Sequence, residues 1–195
     1  MTSKTIQNEQ LPKAWQTTEL GLLCSDMIGG GTPSTAHKDY WGGEIPWMTS
    51  AHINGRKIVA GQKYITKKGL EKSASNLVPK DNVLVATRVG IGKVAINKID
   101  VAISQDLTGL ILDKSKALPE FVYWQLAKDQ QKIKSLAQGS TIKGVLRTDL
   151  AKLKILLPSL TEQQSISDIL SSVDDAISLV ERERDEQSNG SRWAS

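Results

Sequence analysis

After Pro158 the chain reads "SLTEQQSISDILSSVDDAISLVERERDEQ", and no other stretch restricts the possible fold as tightly. Apolar residues stand at Ile166, Ile169, Leu170, Val173, Ala176, Ile177 and Val180, so the intervals alternate between three and four. That spacing predicts a helix of about 25 residues, roughly 38 Å long at 1.5 Å per residue, with Thr161 and Gln164 in capping-box spacing at its start. Its apolar stripe is narrow, which suits a coiled-coil seam better than a domain core. Ser165, Asp168 and Asp175, lying between the stripe positions, weigh against deep burial. The alternative is a C-terminal helix folded back on its own sheet. One domain with such an arm is the expected organisation for 195 residues.

Charge separates the same two parts. Residues 1–160 carry 22 Lys and Arg against 13 Asp and Glu, a net +9, whereas residues 161–195 carry 3 against 8, a net −5. A basic body points to a polyanion, with nucleic acid leading, against the plainer alternative of solvated surface lysines. No run approaches the roughly 18 to 20 apolar residues that span a bilayer, and "MTSKTIQNEQLPKAW" has no apolar signal-peptide core. A cytoplasmic protein without membrane contact is expected. Cys24 stands alone in "LGLLCSDM" and reads as a small buried apolar residue, so no disulfide framework or thiolate metal cluster is expected. With only His37 and His52 as imidazoles, no metal-ligand spacing stands out.

Between Leu11 and about Asp113, the runs "EIPWMT", "NVLVATRV", "KVAINKI", "VAIS" and "TGLILD" are punctuated by Gly, Pro and Asn. They predict a twisted sheet, mixed or mainly antiparallel, and thus an α/β (mixed α+β) class. "LPEFVYWQLAKDQQKIKSLAQG" predicts one helix with Pro119 at its start and Gly139 just past its end, and with Phe121, Val122, Leu126, Ile133 and Leu136 on its buried face. "STIKGVLRTDLAKLKILLP" predicts a loop, a helical turn capped by Thr148 and a strand over 153–157.

Catalytic motifs are absent from the sequence. "TRVGIGKV" fails as a phosphate loop, because Thr87 stands where the first glycine belongs and Val94 where the hydroxyl residue belongs. A hairpin turn explains it better. There is no Gly-x-Ser-x-Gly elbow, and His52 in "TSAHING" reads as a loop histidine.

Nucleic-acid contact has more material. "NGRKIVAGQKYITKKGLEKS" holds Arg56, Lys57, Lys63, Lys67, Lys68 and Lys72 against the single acid Glu71, with Tyr64 among them. The lysines suit phosphates, while Asn54, Arg56 and Gln62 are candidate base readers. Ser140, Thr141, Lys143 and Arg147 in "QGSTIKGVLR" form a second candidate group, and Arg88 in the hairpin is a further one.

The order of "GGGTPS", "YWGGEIPWM", "RVGIGKVAI", "SQDLTGL", "EFVYWQL", "QGSTIKGV" and "LPSLTEQQSISDILSSVDDAI" resembles the specificity subunits of type I restriction–modification systems. The resemblance runs from residue 11 to about 186, nearly the whole chain, and is most specific at Pro158, Glu162 and Gln163. It implies a target-recognition domain over 1–158, a spacer and dimerisation helix over 159–187, and a disordered tail over 188–195. It also implies a non-catalytic protein that reads one half of a split double-stranded DNA site and docks a DNA adenine methyltransferase (modification) subunit and a restriction/translocase subunit. S-adenosylmethionine, ATP and Mg²⁺ are then expected only on those partners, and this chain is expected to bind no cofactor. Family members usually carry two recognition domains and two spacer helices. One of each implies either a half-subunit that forms a homodimer through the helix stripe or a truncated fragment, with the last residues foreign to the pattern. The phrase "GGGTPSTAHKDYWGGEIPWM" is then expected to shape turns, with Trp41 and Trp47 packing the scaffold and Thr32, Ser34 and Lys38 touching phosphate. The rival readings are a stand-alone DNA-binding regulator and a coiled-coil adaptor that binds no DNA.

Overall fold

The run Asn82–Ala86 (NVLVA) is buried on both faces, and this organises the layers of the molecule. Val83 and Val85 project into one apolar cluster, whereas Leu84 and Ala86 project into another. The alternation is the two-residue period of a strand, with hydrophobic neighbours on both sides of the sheet.

The computed structural model describes residues 12, 14–137 and 144–190. Its strands are β1 (Gln16–Glu19), β2 (Cys24–Gly29), β3 (Trp41–Met48), β4 (Lys57–Ile58), β5 (Lys63–Ile65), β6 (Asn76–Val78), β7 (Asn82–Ala86), β8 (Val94–Asn97), β9 (Val101–Ile103), β10 (Leu107–Leu112) and β11 (Lys154–Leu157). The helices are α1 (Lys67–Glu71), α2 (Pro119–Lys128), α3 (Gln130–Leu136), α4 (Arg147–Ala151) and α5 (Leu160–Gly190). Where one twisted sheet was expected there are two larger sheets, ordered β2-β10-β7-β8-β4 and β5-β3-β9-β6, with a separate β1-β11 pair. Both larger sheets are mixed: β4–β8 and β3–β9 run parallel and the remaining pairs antiparallel. Helices α2 to α4 cover one face of the five-stranded sheet, where Val122, Leu126, Ile133 and Leu150 meet Val83, Val85, Ile96 and Leu110. Met48, Val78, Val101 and Ile103 meet Leu84, Ala86 and Ala95 between the two sheets.

The glycine-rich phrase shapes this scaffold as expected. At Gly30 an added Cβ would lie 2.0 Å from the Ile103 carbonyl oxygen, so only glycine permits that approach. Trp41 and Ile45 both register against Ile65, and the bulge between them holds Gly43, whose Cβ would fall 2.5 Å from the Ile65 oxygen. Trp47 donates to the Gly31 carbonyl at 3.2 Å and packs edge-to-face on Trp41. The β7–β8 hairpin also forms where the phosphate-loop reading failed, with Gly90 and Gly92 at positive φ. Cys24, expected to be buried, is half-buried against the core and donates to the Leu20 carbonyl at 3.4 Å; burial, with Asp26 adding to the shift, pushes its thiol up to about 12.

Four local expectations need correction. The single helix predicted from Pro119 to just before Gly139 is two helices, because Asp129 leaves helical geometry and begins a second segment that brings Ile133 into the core. Thr148 lies inside α4, while Leu146 occupies the N-cap without a side-chain bond. The capping box of α5 uses Ser159 and Glu162, two residues earlier than predicted. The Ser159 hydroxyl accepts the Glu162 N–H at 3.3 Å, and Glu162 accepts the Ser159 N–H at 3.1 Å. Gln164 instead donates to Asp168. Finally, α5 continues through 188–190, where a disordered tail was expected, giving 31 residues, or about 46 Å. Residues 191–195 lie outside the described residues.

Helix α5 meets the domain through its polar face. Gln163 and Ser167 are buried and Ser171, Asp174 and Ser178 half-buried, whereas Ile169, Val173, Ile177 and Val180 are each more than half exposed. Leu170 is exposed as well and Ile166 half-buried, so the predicted stripe turns away from its own domain. Folding back through that stripe is therefore excluded.

Candidate nucleic-acid interface

The basic stretch supplies a surface on α1 and the strand before it. Thr66 caps α1 by accepting the Gly69 N–H at 3.0 Å, and Lys67 and Lys72 are presented at the two ends. Lys63, Tyr64, Lys67, Lys68 and Lys72 are exposed, as are Ser34 and Lys38 in the turn that α1 packs against. Lys68 is committed to Asp39 at 2.6 Å, and this bond holds the Asp39 carboxyl below its ordinary range. Lys67 faces Glu71 at 3.8 Å, and Lys63 lies over the Trp41 ring. Gln62 has its carbonyl oxygen committed to Thr49, accepting from the backbone N–H and the hydroxyl.

Arg56 corrects the sequence reading. Its side chain is 6% exposed and faces α5, where it donates to Asp174 at 3.0 Å, to the Ser171 hydroxyl at 2.8 Å and to Asp175. A candidate base reader is thus a buried tie. Counting cations in a local stretch could not detect acids 118 and 119 positions later. Its neighbours Asn54 and Lys57 remain exposed and border a shallow depression with His52.

A second surface gathers residues that are distant in sequence. A cleft of about 320 Å³ has buried Leu107 and Thr108 at its base, with exposed Arg88, Gln105 and Arg147 around it. Arg147 donates to the Met27 carbonyl at 3.0 Å, and Thr32 donates to Gln105 at 2.7 Å. Arg88 also borders a depression with Lys93, Gln130 and Lys134. Gln105 and Lys134 escaped sequence reasoning because neither sits in a basic run; only the phrase "SQDLTGL" touched the former. Ser140, Thr141 and Lys143 lie outside the described residues.

The arrangement offers cations, amides and backbone edges to a polyanion. Among the described residues no group of three His, Cys, Asp or Glu side chains could hold a metal ion. The model of the type I restriction modification DNA specificity domain matches residues 12–187. The chain belongs to that family. It is 31% identical over 173 residues to the MjaIX type I restriction enzyme specificity subunit of Methanocaldococcus jannaschii, covering 86% of this chain and 40% of that protein. A chain from a structure of a type I R-M system superposes with a TM-score of 0.73 at 20% identity, over 94% of this chain and 44% of that one. The HsdS subunit of Thermoanaerobacter tengcongensis superposes at 0.70 with 19% identity, over 92% and 42%. The mixed sheets and the C-terminal helix are thus the family's fold. The chain spans about 40% of the length of that curated relative. Specificity domains of this family suit a non-catalytic role, and no described helix is long and apolar enough to cross a membrane.

Proposed function

We propose that this chain is the DNA-reading half of a type I restriction–modification specificity subunit in the cytoplasm, recognising one part of a split duplex site without catalysing a reaction. The observation that carries this reading is the division of labour in the molecule. The cationic cleft and the α1 surface lie on the domain, while the apolar stripe of α5 turns away from it. Lys63, Lys67, Lys72 and Arg147 suit phosphates, and Asn54, Arg88 and Gln105 suit base edges. The stripe pairs with that of a second copy, placing two readers at the ends of a helix pair and predicting a split palindromic site. A modification methyltransferase subunit and a restriction/translocase subunit dock on the assembly. They carry S-adenosylmethionine, ATP and Mg²⁺.

Selection from a random duplex library, followed by sequencing, tests the reading. A split motif is expected, with binding that weakens by several log units per log unit of salt. Lack of enrichment together with a flat salt response would favour the coiled-coil adaptor. A contiguous motif bound tightly by the protein alone would favour a stand-alone regulator.

A further inference from the structure

Two anchors fix α5 to the domain, and both are directional. At its start the Gln163 side chain accepts the Leu118 N–H and donates to the Lys116 and Pro158 carbonyls. Two turns later Arg56 grips Ser171, Asp174 and Asp175 with three different nitrogens, and the Trp124 ring lies 5.7 Å from its guanidinium carbon. Trp124 itself donates to the Ser171 hydroxyl at 3.4 Å. Positions 171, 174 and 175 share one face of a helix, at i, i+3 and i+4, so one planar fork spans a full turn. Between the anchors lies Ser167, small and buried. Apolar contact is non-directional and tolerates sliding, whereas rotating α5 by one residue, about 100°, would break every bond in the fork.

We infer that Arg56 is a positioning residue that sets the direction of α5 relative to the reading domain, and thereby the separation of the two half-sites. This rests on the DNA-reading function proposed above. The lever is long: from Asp175 to Gly190 the helix advances about 22 Å, so a 10° tilt displaces its end by roughly 4 Å. That slightly exceeds the ~3.4 Å spacing of successive nucleotides along a strand. Arg56 also belongs to the loop that presents Asn54 and Lys57, which ties the helix to a candidate reading element.

The test compares the full chain with Arg56→Lys, Arg56→Met and Asp175→Asn. Spin labels are placed at Lys80→Cys and Glu183→Cys in a Cys24→Ser background and diluted with unlabelled protein. Arg56→Lys retains the cation without the fork, so a fork that positions the helix is expected to give a distance distribution shifted or broadened by several ångströms in both Arg56 variants. An unchanged distribution in the two substitutions would overturn the inference. Should Arg56→Met fail to fold, Arg56→Lys and Asp175→Asn decide by the same measure. Selection from duplex libraries with varied half-site separation then reads function: the parent protein is expected to favour one separation and the variants several, with the half-site motif retained. A shifted helix with an unaltered separation preference would overturn the spacing role. If the parent enriches no duplex, the DNA-reading function fails, and the spacing role with it. The distances still decide whether Arg56 positions the helix.

Discussion

The side-chain oxygen of Gln163 accepts the backbone N–H of Leu118 at 2.9 Å, joining the first turn of α5 to the start of α2. Gln163 is fully buried, and its amide also serves two carbonyls. Gln163→Met would keep the volume and orphan three backbone groups. It is expected to cost about 2–4 kcal/mol, read as a lower urea midpoint.

Lys67 and Lys72 separate phosphate contact from structure better than Lys68, because Lys68 is bonded to Asp39 at 2.6 Å, whereas Lys67 only faces the exposed Glu71 at 3.8 Å. The double change Lys67→Glu and Lys72→Glu should weaken binding to all duplexes and reduce the salt slope by about 2. An unchanged slope would remove both lysines from the interface.

Arg88 borders both the cleft and the neighbouring depression. Arg88→Ala should lower affinity about tenfold or more while the melting temperature stays within about 2 °C, since exposed positions seldom matter for folding. If it reads a base, titration against duplexes substituted at single positions will show relaxed preference at one of them; if it holds phosphate, the loss will be uniform.

Val173 and Ile177 are more than half exposed on α5. Val173→Asp with Ile177→Asp should convert a dimer to a monomer in sedimentation at micromolar concentration, with the unfolding midpoint of the domain preserved. A monomeric parent protein would refute the proposed pairing.

Acid should loosen the helix anchor. The hydrogen bond from Arg56, reinforced by its charge, holds the Asp175 carboxyl below its ordinary value of 3.8. A lowered folded value means that stability is fully present above 3.8 and is lost as pH falls through the folded value. Asp39 behaves alike through its bond from Lys68, and Glu162 through its bonds from Ser159 and then Trp15. Urea midpoints should therefore begin to drop below pH 4.5, the ordinary value for Glu162, and drop further below 3.8, and Asp175→Asn should flatten the lower part of that fall. Coincident profiles would show that this ion pair contributes nothing to acid sensitivity.

Patterns set by neighbours along the chain were legible without coordinates. The three-four spacing placed α5 and its stripe, Pro119 opened α2, and short β-rich runs between Gly, Pro and Asn marked β7 and β8, because these are signals of neighbours along the chain. Glycines 29 to 43 were recognisable as turn positions, although the close backbone approaches at Gly30, Gly31 and Gly43 were not. Their purpose followed from the steric limits of a Cβ atom.

What required the tertiary structure was every pairing between distant segments. Arg56 looked like a reader until α5 brought Asp174 and Asp175 to it, and Gln163 looked like one more polar helix residue until Leu118 met it. The cleft that unites Arg88, Gln105 and Arg147 exists only because two turns and the start of α4 converge. The sequence by itself determined α5, the start of α2 and the strands β3, β7 to β10 and β11, and that the body is basic with an acidic arm. Tertiary structure decided which charges are neutralised inside and which face solvent, because electrostatic partners are chosen by distance in space.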